Sequence, residues 1–163
     1  MSTVLKSKET KVSEIPHIKG LKVAIVVAEW NAHITEALLE GAQSVFKAEG
    51  YPKKDIQIYH VPGAVELTFA AAQLALFCQF DAIIVFGCVI RGDTPHFDYV
   101  CQSVTQGITN LNSEANVPVI FGLLTVENEQ QALDRAGGKL GNKGAEAAEA
   151  AIKMSQFSLN IKD

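Results

Sequence analysis

The sequence predicts a three-layer α/β/α sandwich around a four-stranded parallel sheet. Apolar, β-branched runs of strand length alternate with segments whose apolar residues recur at helical spacing, the pattern of successive β-α-β units. The runs are continuous rather than alternating, as in strands buried on both faces. Hydrophobic residues make up 48% of the 163-residue chain and aromatics only 7%. One domain can therefore build a real core, and that core is mainly aliphatic.

Residues 1–20 read as an N-terminal arm and residues 21–163 as a single domain. The arm is polar and Lys-rich to about residue 15, with Ser13-Glu14-Ile15-Pro16 as a short extended piece. Lys22 to Val27 is a buried strand, broken by Glu29-Trp30-Asn31. Ile34, Leu38, Ala42, Val45 and Phe46 then repeat at helical spacing, and Gly50 closes the helix. Asp55 to Val61 is a second strand, stopped by Pro62-Gly63. Val65 to Phe77 is a helix with Glu66 in its first turn. Ala82 to Phe86 is a third strand, and a helix from Phe97 to about Leu111 follows its loop. Val117 to Leu124 is a fourth strand, with Pro118 at its start or on a sheet edge. Asn128 and Gln131 form a candidate capping box for a short helix through Ala136, ended by Gly137-Gly138. Lys143 to Gln156 is a last, Ala-rich helix. Strands alternating with helices imply right-handed crossovers and a flavodoxin-like outline.

The formal net charge is −4. No basic stripe is present, which argues against a nucleic-acid partner. Three cysteines occur, Cys78, Cys88 and Cys101. An odd count without C-x-x-C suggests neither a disulfide framework nor a zinc site, and a reduced compartment is the simplest reading. The N-terminus lacks the apolar core of a secretory signal, and no apolar run approaches membrane-spanning length. The cytoplasm is the expected location.

Parallel sheets of this kind bind ligands outside the carboxyl ends of their strands. That rule selects four segments: Glu29 to Asn31, Pro62 to Glu66, Gly87 to Asp98, and Gly122 to Glu127. In the third, Gly92 lets the backbone approach a ligand closely, and Thr94 offers a hydroxyl and an amide beside a helix N-terminus, a natural anion site. His96 falls in the cap or first turn, where the positive helix end favours a neutral imidazole able to exchange protons. The ordinary alternative is that Asp93 or Thr94 merely caps the helix, His96 is solvated, and Arg91 is a structural salt-bridge partner. Gly63, Ala64, Val65 and Glu66 could read the edge of a planar ring, or could be a turn with a dipole-matched carboxylate. Trp30 could stack on a heterocycle or serve as a packing residue, and Phe121 carries the same ambiguity. Arg135, in the Gly- and Lys-rich stretch 134–144, could clamp a phosphate or decorate a helix end. That stretch lacks the order of a Walker loop.

Five motifs then carry a resemblance from about Leu21 to the C-terminus. They are V-V-A-E-W-N-A-H-I-T, V-P-G-A-V-E-L, F-G-C-V-I-R-G-D-T-P-H-F-D-Y-V, V-P-V-I-F-G-L-L-T-V-E-N-E-Q-Q-A and R-A-G-G-K-L-G-N-K-G. Together they resemble bacterial 6,7-dimethyl-8-ribityllumazine synthases. The resemblance implies condensation of 5-amino-6-ribitylaminouracil with 3,4-dihydroxy-2-butanone 4-phosphate, without metal or organic cofactor. It implies that Trp30 stacks on the pyrimidine, that Ala64, Val65 and Glu66 contact the ribityl chain and ring, and that Cys88, Val89 and Ile90 line the ring pocket. Asp93 and Thr94 would hold the phosphate, and His96 would shuttle protons. Phe121 and Arg135 would come from a neighbouring subunit, Arg135 to the phosphate, with Lys143 as a further basic contact. Trp30 stands where the family usually has Phe, Cys88 where Thr is frequent, and Asp93 where small residues are frequent. A carboxylate repels a phosphate, so the Asp93 side chain is expected to point away and only its amide to serve.

Family members form pentamers, and some build icosahedral shells of pentamers. The G-G-K-L-G-N-K-G connection has no insertion, as in shell-forming members. Association with riboflavin synthase is a further implied partner. A riboflavin synthase that dismutates two lumazines would need no phosphate site, and a non-catalytic lumazine-binding shell protein could dispense with His96.

Overall fold

The computed structural model describes residues 14–114 and 116–162. Most of the expected arm, residues 1–13, lies outside them. The elements run β1 (Val23–Ala28), α1 (Ala32–Ala48), a single 3-10 turn (Lys53–Asp55), β2 (Ile56–Val61), α2 (Glu66–Phe77), β3 (Ala82–Ile90), α3 (His96–Glu114), β4 (Val119–Val126), α4 (Glu129–Arg135), β5 (Ala136–Gly138), β6 (Gly141–Asn142) and α5 (Lys143–Asn160). The main sheet has the order β2-β1-β3-β4 and every pairing is parallel. The expected flavodoxin-like sandwich with a four-stranded parallel sheet is the observed fold.

Strand periodicity divides the core in two. Val23, Ile25 and Val27 point to the α1 and α5 side, with Ile84, Phe86 and Leu124. Ala24, Val26 and Ala28 point to the α2 and α3 side, with Ile83, Val85 and Leu123. All six residues of β1 are buried, as expected for a central strand covered on both faces. Fully burying each Val, Leu or Ile contributes about 1.5–3 kcal/mol, so these two faces carry the stability of the sheet. The end of the arm docks on the first face. Ile18 is buried there, and its amide donates to the Tyr51 hydroxyl at 3.0 Å.

Two differences from the expected elements bear on the site and its surroundings. β3 runs to Ile90 rather than stopping at Phe86, because β4 pairs with it residue for residue as far as Val126. Gly87 therefore lies inside a strand, where a Cβ would stand 2.6 Å from Leu123 Cδ1. The stretch 122–127, expected as a loop, is accordingly β4 as far as Val126. Pro118 sits just before this edge strand and offers only its carbonyl, which accepts from the Ile83 amide at 2.9 Å. The second difference is at Gly137-Gly138. They do not simply end α4 but form a two-stranded antiparallel ribbon with Gly141-Asn142. Gly137 and Gly141 take φ of 110° and 85°, values that cost glycine nothing and let the chain reverse within four residues.

The ribbon delivers Asn142 to a close crossing of α1 and α5. Asn142 Oδ1 accepts from the amides of Gly144 and Ala145 at 2.8 and 3.2 Å, capping α5. Its Nδ2 donates to the Ala37 carbonyl of α1 at 2.9 Å. A Cβ on Gly144 would lie 1.8 Å from the Leu38 carbonyl oxygen. The G-N-K-G motif is thus a packing knot that fixes where α5, and the ribbon before it, meet the sheet. Gly144→Ala is expected to lower stability by about 3 kcal/mol or to block folding. Urea unfolding measures this, and an unchanged midpoint contradicts the crossing described.

Candidate active site

Three connections meet at the carboxyl rim of the sheet. The first leaves β1. Its Glu29 and Trp30 amides donate to the carbonyls of Val61 and Pro62 at 2.8 and 3.1 Å, which ties the ends of β1 and β2 together. Asn31 then adopts the left-handed region at φ 59°, ψ 45°, a conformation asparagine tolerates better than most residues. Its Nδ2 donates to the Cys88 carbonyl at 2.9 Å, tying the same turn to β3. Trp30 is 72% exposed.

The second connection turns at Pro62-Gly63-Ala64-Val65 into α2. Glu66 occupies the first turn of that helix, and its Oε2 lies over Gly63, 3.1 Å from where a Cβ would be. The third leaves β3 at Ile90 and enters α3 at His96. Its start is tied by the Arg91 amide to the Val126 carbonyl at 2.9 Å, and its end by the Asp98 amide to the Pro95 carbonyl at 3.0 Å.

Between these connections lies a cavity of about 540 Å³, lined by Trp30, Asn31, Pro62, Gly63, Ala64, Val65, Glu66, Cys88, Val89, Ile90, Gly92, Thr94, His96, Phe97 and Val100. Nine of the residues expected from the sequence therefore meet in one place: Trp30, Ala64, Val65, Glu66, Cys88, Val89, Ile90, Thr94 and His96. Asp93 is exposed and does not line the cavity, although Gly92 and Thr94 on either side of it do. Phe121 lies on β4, packed against the core face under α2 and α3. Arg135 lies at the end of α4. Neither lines this chain's own cavity.

Other residues of the site had escaped the sequence reading. Asn31 lies in a segment the strand-end rule selects, but its residue type suggests no role of its own. Phe97 and Val100 follow His96 on the first turn of α3. The i,i+4 spacing of His96 and Val100 is the signal that could have found the second of them. Arg91 takes the salt-bridge role: its guanidinium bridges Asp98 and Glu127.

The charge environment is uneven. Burial, and secondarily the nearby Glu129, push the Cys88 thiol up to about 11, so it is a neutral wall of the cavity rather than a nucleophile. Arg135 is nearly enclosed: its Nη2 meets both Glu146 oxygens at 2.9 and 3.0 Å, and Nη1 donates to the Leu140 carbonyl. Glu146 also takes Lys143 at 3.5 Å. Hydrogen bonds from Gln130 and then Lys139 hold the neighbouring Asp134 carboxyl below the usual range. Among the described residues, no cluster of three or more His, Cys, Asp or Glu is placed to hold a metal ion. No helix among them is long and apolar enough to cross a membrane. What the cavity offers is an aromatic face, one carboxylate, one hydroxyl, one imidazole and the free amides before α3. That set suits a flat polar heterocycle and an anion, with one group able to carry a proton between them.

Comparison with known proteins places the chain among relatives of one kind. The family model described as 6,7-dimethyl-8-ribityllumazine synthase matches residues 20–158. The 6,7-dimethyl-8-ribityllumazine synthase of Parabacteroides distasonis is 56% identical over 146 residues, covering 90% of this chain and 91% of its own. That of Porphyromonas gingivalis is 56% identical over 141 residues, covering 86% and 88%. That of Cytophaga hutchinsonii is 51% identical over 154 residues, covering 94% and 97%.

The state of Cys88 gives a direct check. Burial keeps the thiol protonated at pH 8, and the residue is only 3% exposed. Iodoacetamide is expected to leave Cys88 unmodified in the native protein and to label it in urea, as read by peptide mass spectrometry. Equal labelling in both states contradicts its burial.

Proposed function

This chain belongs to the 6,7-dimethyl-8-ribityllumazine synthase family, and from that premise we propose how its rim cavity carries out the family's reaction. The reaction is the condensation of 5-amino-6-ribitylaminouracil with 3,4-dihydroxy-2-butanone 4-phosphate, the penultimate step of riboflavin biosynthesis. Phosphate and water leave and the lumazine forms, making the enzyme a transferase.

In the proposed arrangement the pyrimidine lies against Trp30, whose exposed ring leaves a face free for stacking. Cys88, Val89 and Ile90 form the pocket wall beside it. Ala64 and Val65 contact the ring and ribityl chain through their backbone, and the Glu66 carboxylate accepts from their donors. The phosphate sits before α3, bound by the amides of Asp93 and Thr94 and by the Thr94 hydroxyl. The exposure of Asp93 away from the cavity supports an amide-only contact. His96, the first residue of α3, takes the proton released as the amine attacks the ketone. It returns that proton to the hydroxyl that departs as water, and takes up and gives back one proton again as the phosphate is eliminated and the ring closes. These steps need proton transfer and alignment of two substrates more than covalent help.

Phe121 and Arg135 are assigned to the site of a neighbouring subunit, Arg135 to the phosphate. Their absence from the lining of this chain's own cavity supports the assignment. So do the apolar side chains left exposed on α2, Phe69, Leu76 and Phe77, which a neighbour would cover. The assembly is proposed to be a homopentamer, and the short 136–142 ribbon supports further assembly into an icosahedral shell. The arm ahead of Ile18 would pair with a neighbour's sheet edge, and residues 21–163 form the catalytic domain. Association with riboflavin synthase and a cytoplasmic location complete the proposal. No metal, cofactor, membrane or nucleic acid takes part.

The observation that carries this reading is the convergence of Trp30, Glu66, Thr94 and His96 on one cavity. Its test is a two-substrate assay followed by lumazine absorbance. His96→Ala is expected to lose about 100-fold in rate, and an unchanged rate removes His96 from its role.

A further inference from the structure

The five residues Arg91 to Pro95 present an unusual mechanical situation. Among the described residues, Gly92, Asp93 and Thr94 make no hydrogen bond to the rest of the chain. Their amides are free for an anion, and so nothing within the segment fixes where those amides point. It is held only at its two ends.

Arg91 joins both ends. Its Nη1 and Nη2 meet the Asp98 carboxylate at 3.3 and 3.1 Å, so the residue that opens the segment grips a residue just beyond its close. Its Nε meets Glu127 Oε2 at 2.8 Å, lashing the closed loop to the end of β4. The guanidinium carbon Cζ lies over the ring of Phe97, a cavity wall, 4.1 Å from its centroid. Glu127 is itself steadied, since its amide donates to Gln131 Oε1 at 2.9 Å at the capped start of α4. Arg91 does not line the cavity, so it acts on the ligand only through what it holds. An isolated exposed ion pair is worth little. A planar fork shared by two carboxylates and an aromatic face holds one geometry, which an ammonium on a flexible stem does not reproduce.

We propose that Arg91 is a positioning residue of the phosphate subsite: it closes the 91–98 segment into a fixed loop, so that the Asp93 and Thr94 amides are pre-set for the anion before it arrives. The inference rests on the phosphate site proposed above. Pre-setting a loop raises affinity by removing the cost of ordering it during binding. The effect should therefore fall on the phosphate-bearing substrate and spare the pyrimidine.

The experiment uses the assembled full-length protein, with inorganic phosphate binding by calorimetry beside steady-state kinetics for each substrate. Arg91→Met is expected to weaken phosphate binding and to raise KM for the butanone phosphate, each about tenfold. KM for the pyrimidine should stay within about twofold. Arg91→Lys, which keeps the charge and loses the fork, is expected to behave like Arg91→Met, and full recovery in the Lys variant overturns the proposal. Adding Asp98→Asn and Glu127→Gln to Arg91→Met should leave the affinity low. Restoration there would mean that Arg91 merely neutralises two carboxylates. Equal loss for both substrates would mean general damage to the fold, which also overturns it. Thr94→Val separates this inference from its premise. If Thr94→Val keeps wild-type phosphate affinity, and still does when Asp93→Pro removes an amide, the subsite and the role of Arg91 fall together. If it weakens binding and Arg91→Met does not, the subsite stands and Arg91 alone is misassigned.

Discussion

Parallel pairing of β1 with β2 and β3, and of β3 with β4, turns the carboxyl ends of all four strands to one edge. Everything else in the molecule follows from that constraint. Each crossover helix must begin on that edge, so α1, α2 and α3 each point an N-terminus toward the rim where a ligand can sit. The pairing also buries both faces of the sheet, so catalytic groups have no room in the core and must come from the connections. The cavity is lined by those connections, the end of β3 and the first turns of α2 and α3.

Parallel pairing alone does not set the rim to atomic precision. That takes a few polar bonds between connections. Asn31 reaches from the β1 turn to the Cys88 carbonyl of β3, and the backbone of Glu29 and Trp30 reaches to β2. These bonds set the spacing between the Trp30 face and the Cys88–Ile90 wall. In the α1 and α5 layer, Asn142 does the same for α1, the ribbon and α5. Arg135 hangs from that assembly, enclosed by Glu146 and the Leu140 carbonyl. A basic group so firmly held suits presentation to another molecule, because little freedom remains to be lost when it binds.

The sequence was legible where a residue's role depends on its near neighbours. The run from Lys22 to Val27 announced β1, and Asn128 with Gln131 announced the start of α4. In the structure Asn128 accepts from the Gln131 amide at 3.1 Å, while Gln131 reaches back to Glu127 rather than to Asn128 itself. Legibility failed where the deciding partner is distant in the chain. Gly87 reads as a strand breaker until β4 is alongside it. Gly137-Gly138 reads as a helix stop until Asn142 pairs back. Gly144 looks like loop glycine, and only its contact with Leu38 of α1 shows why a side chain cannot be there. The site divides in the same way. Trp30, Glu66, Thr94 and His96 follow from strand ends, whereas Phe121 and Arg135, legible as a ring face and a phosphate clamp, do not line a single chain's cavity, and their assignment to a neighbouring subunit comes only from the family resemblance.

The central claim is that the rim cavity of one subunit is completed by Arg135 of the next. Co-assembly of two inactive variants tests it most directly. His96→Ala and Arg135→Ala are prepared separately, unfolded together in equal amounts, refolded and assayed with both substrates. In a ring with head-to-tail interfaces, about a quarter of the sites then combine an intact His96 with an intact Arg135. Activity near a quarter of wild type is the expected result. A mixed assembly no more active than its two parents, with mixing verified by mass spectrometry, would contradict a shared site and return Arg135 to a purely structural role.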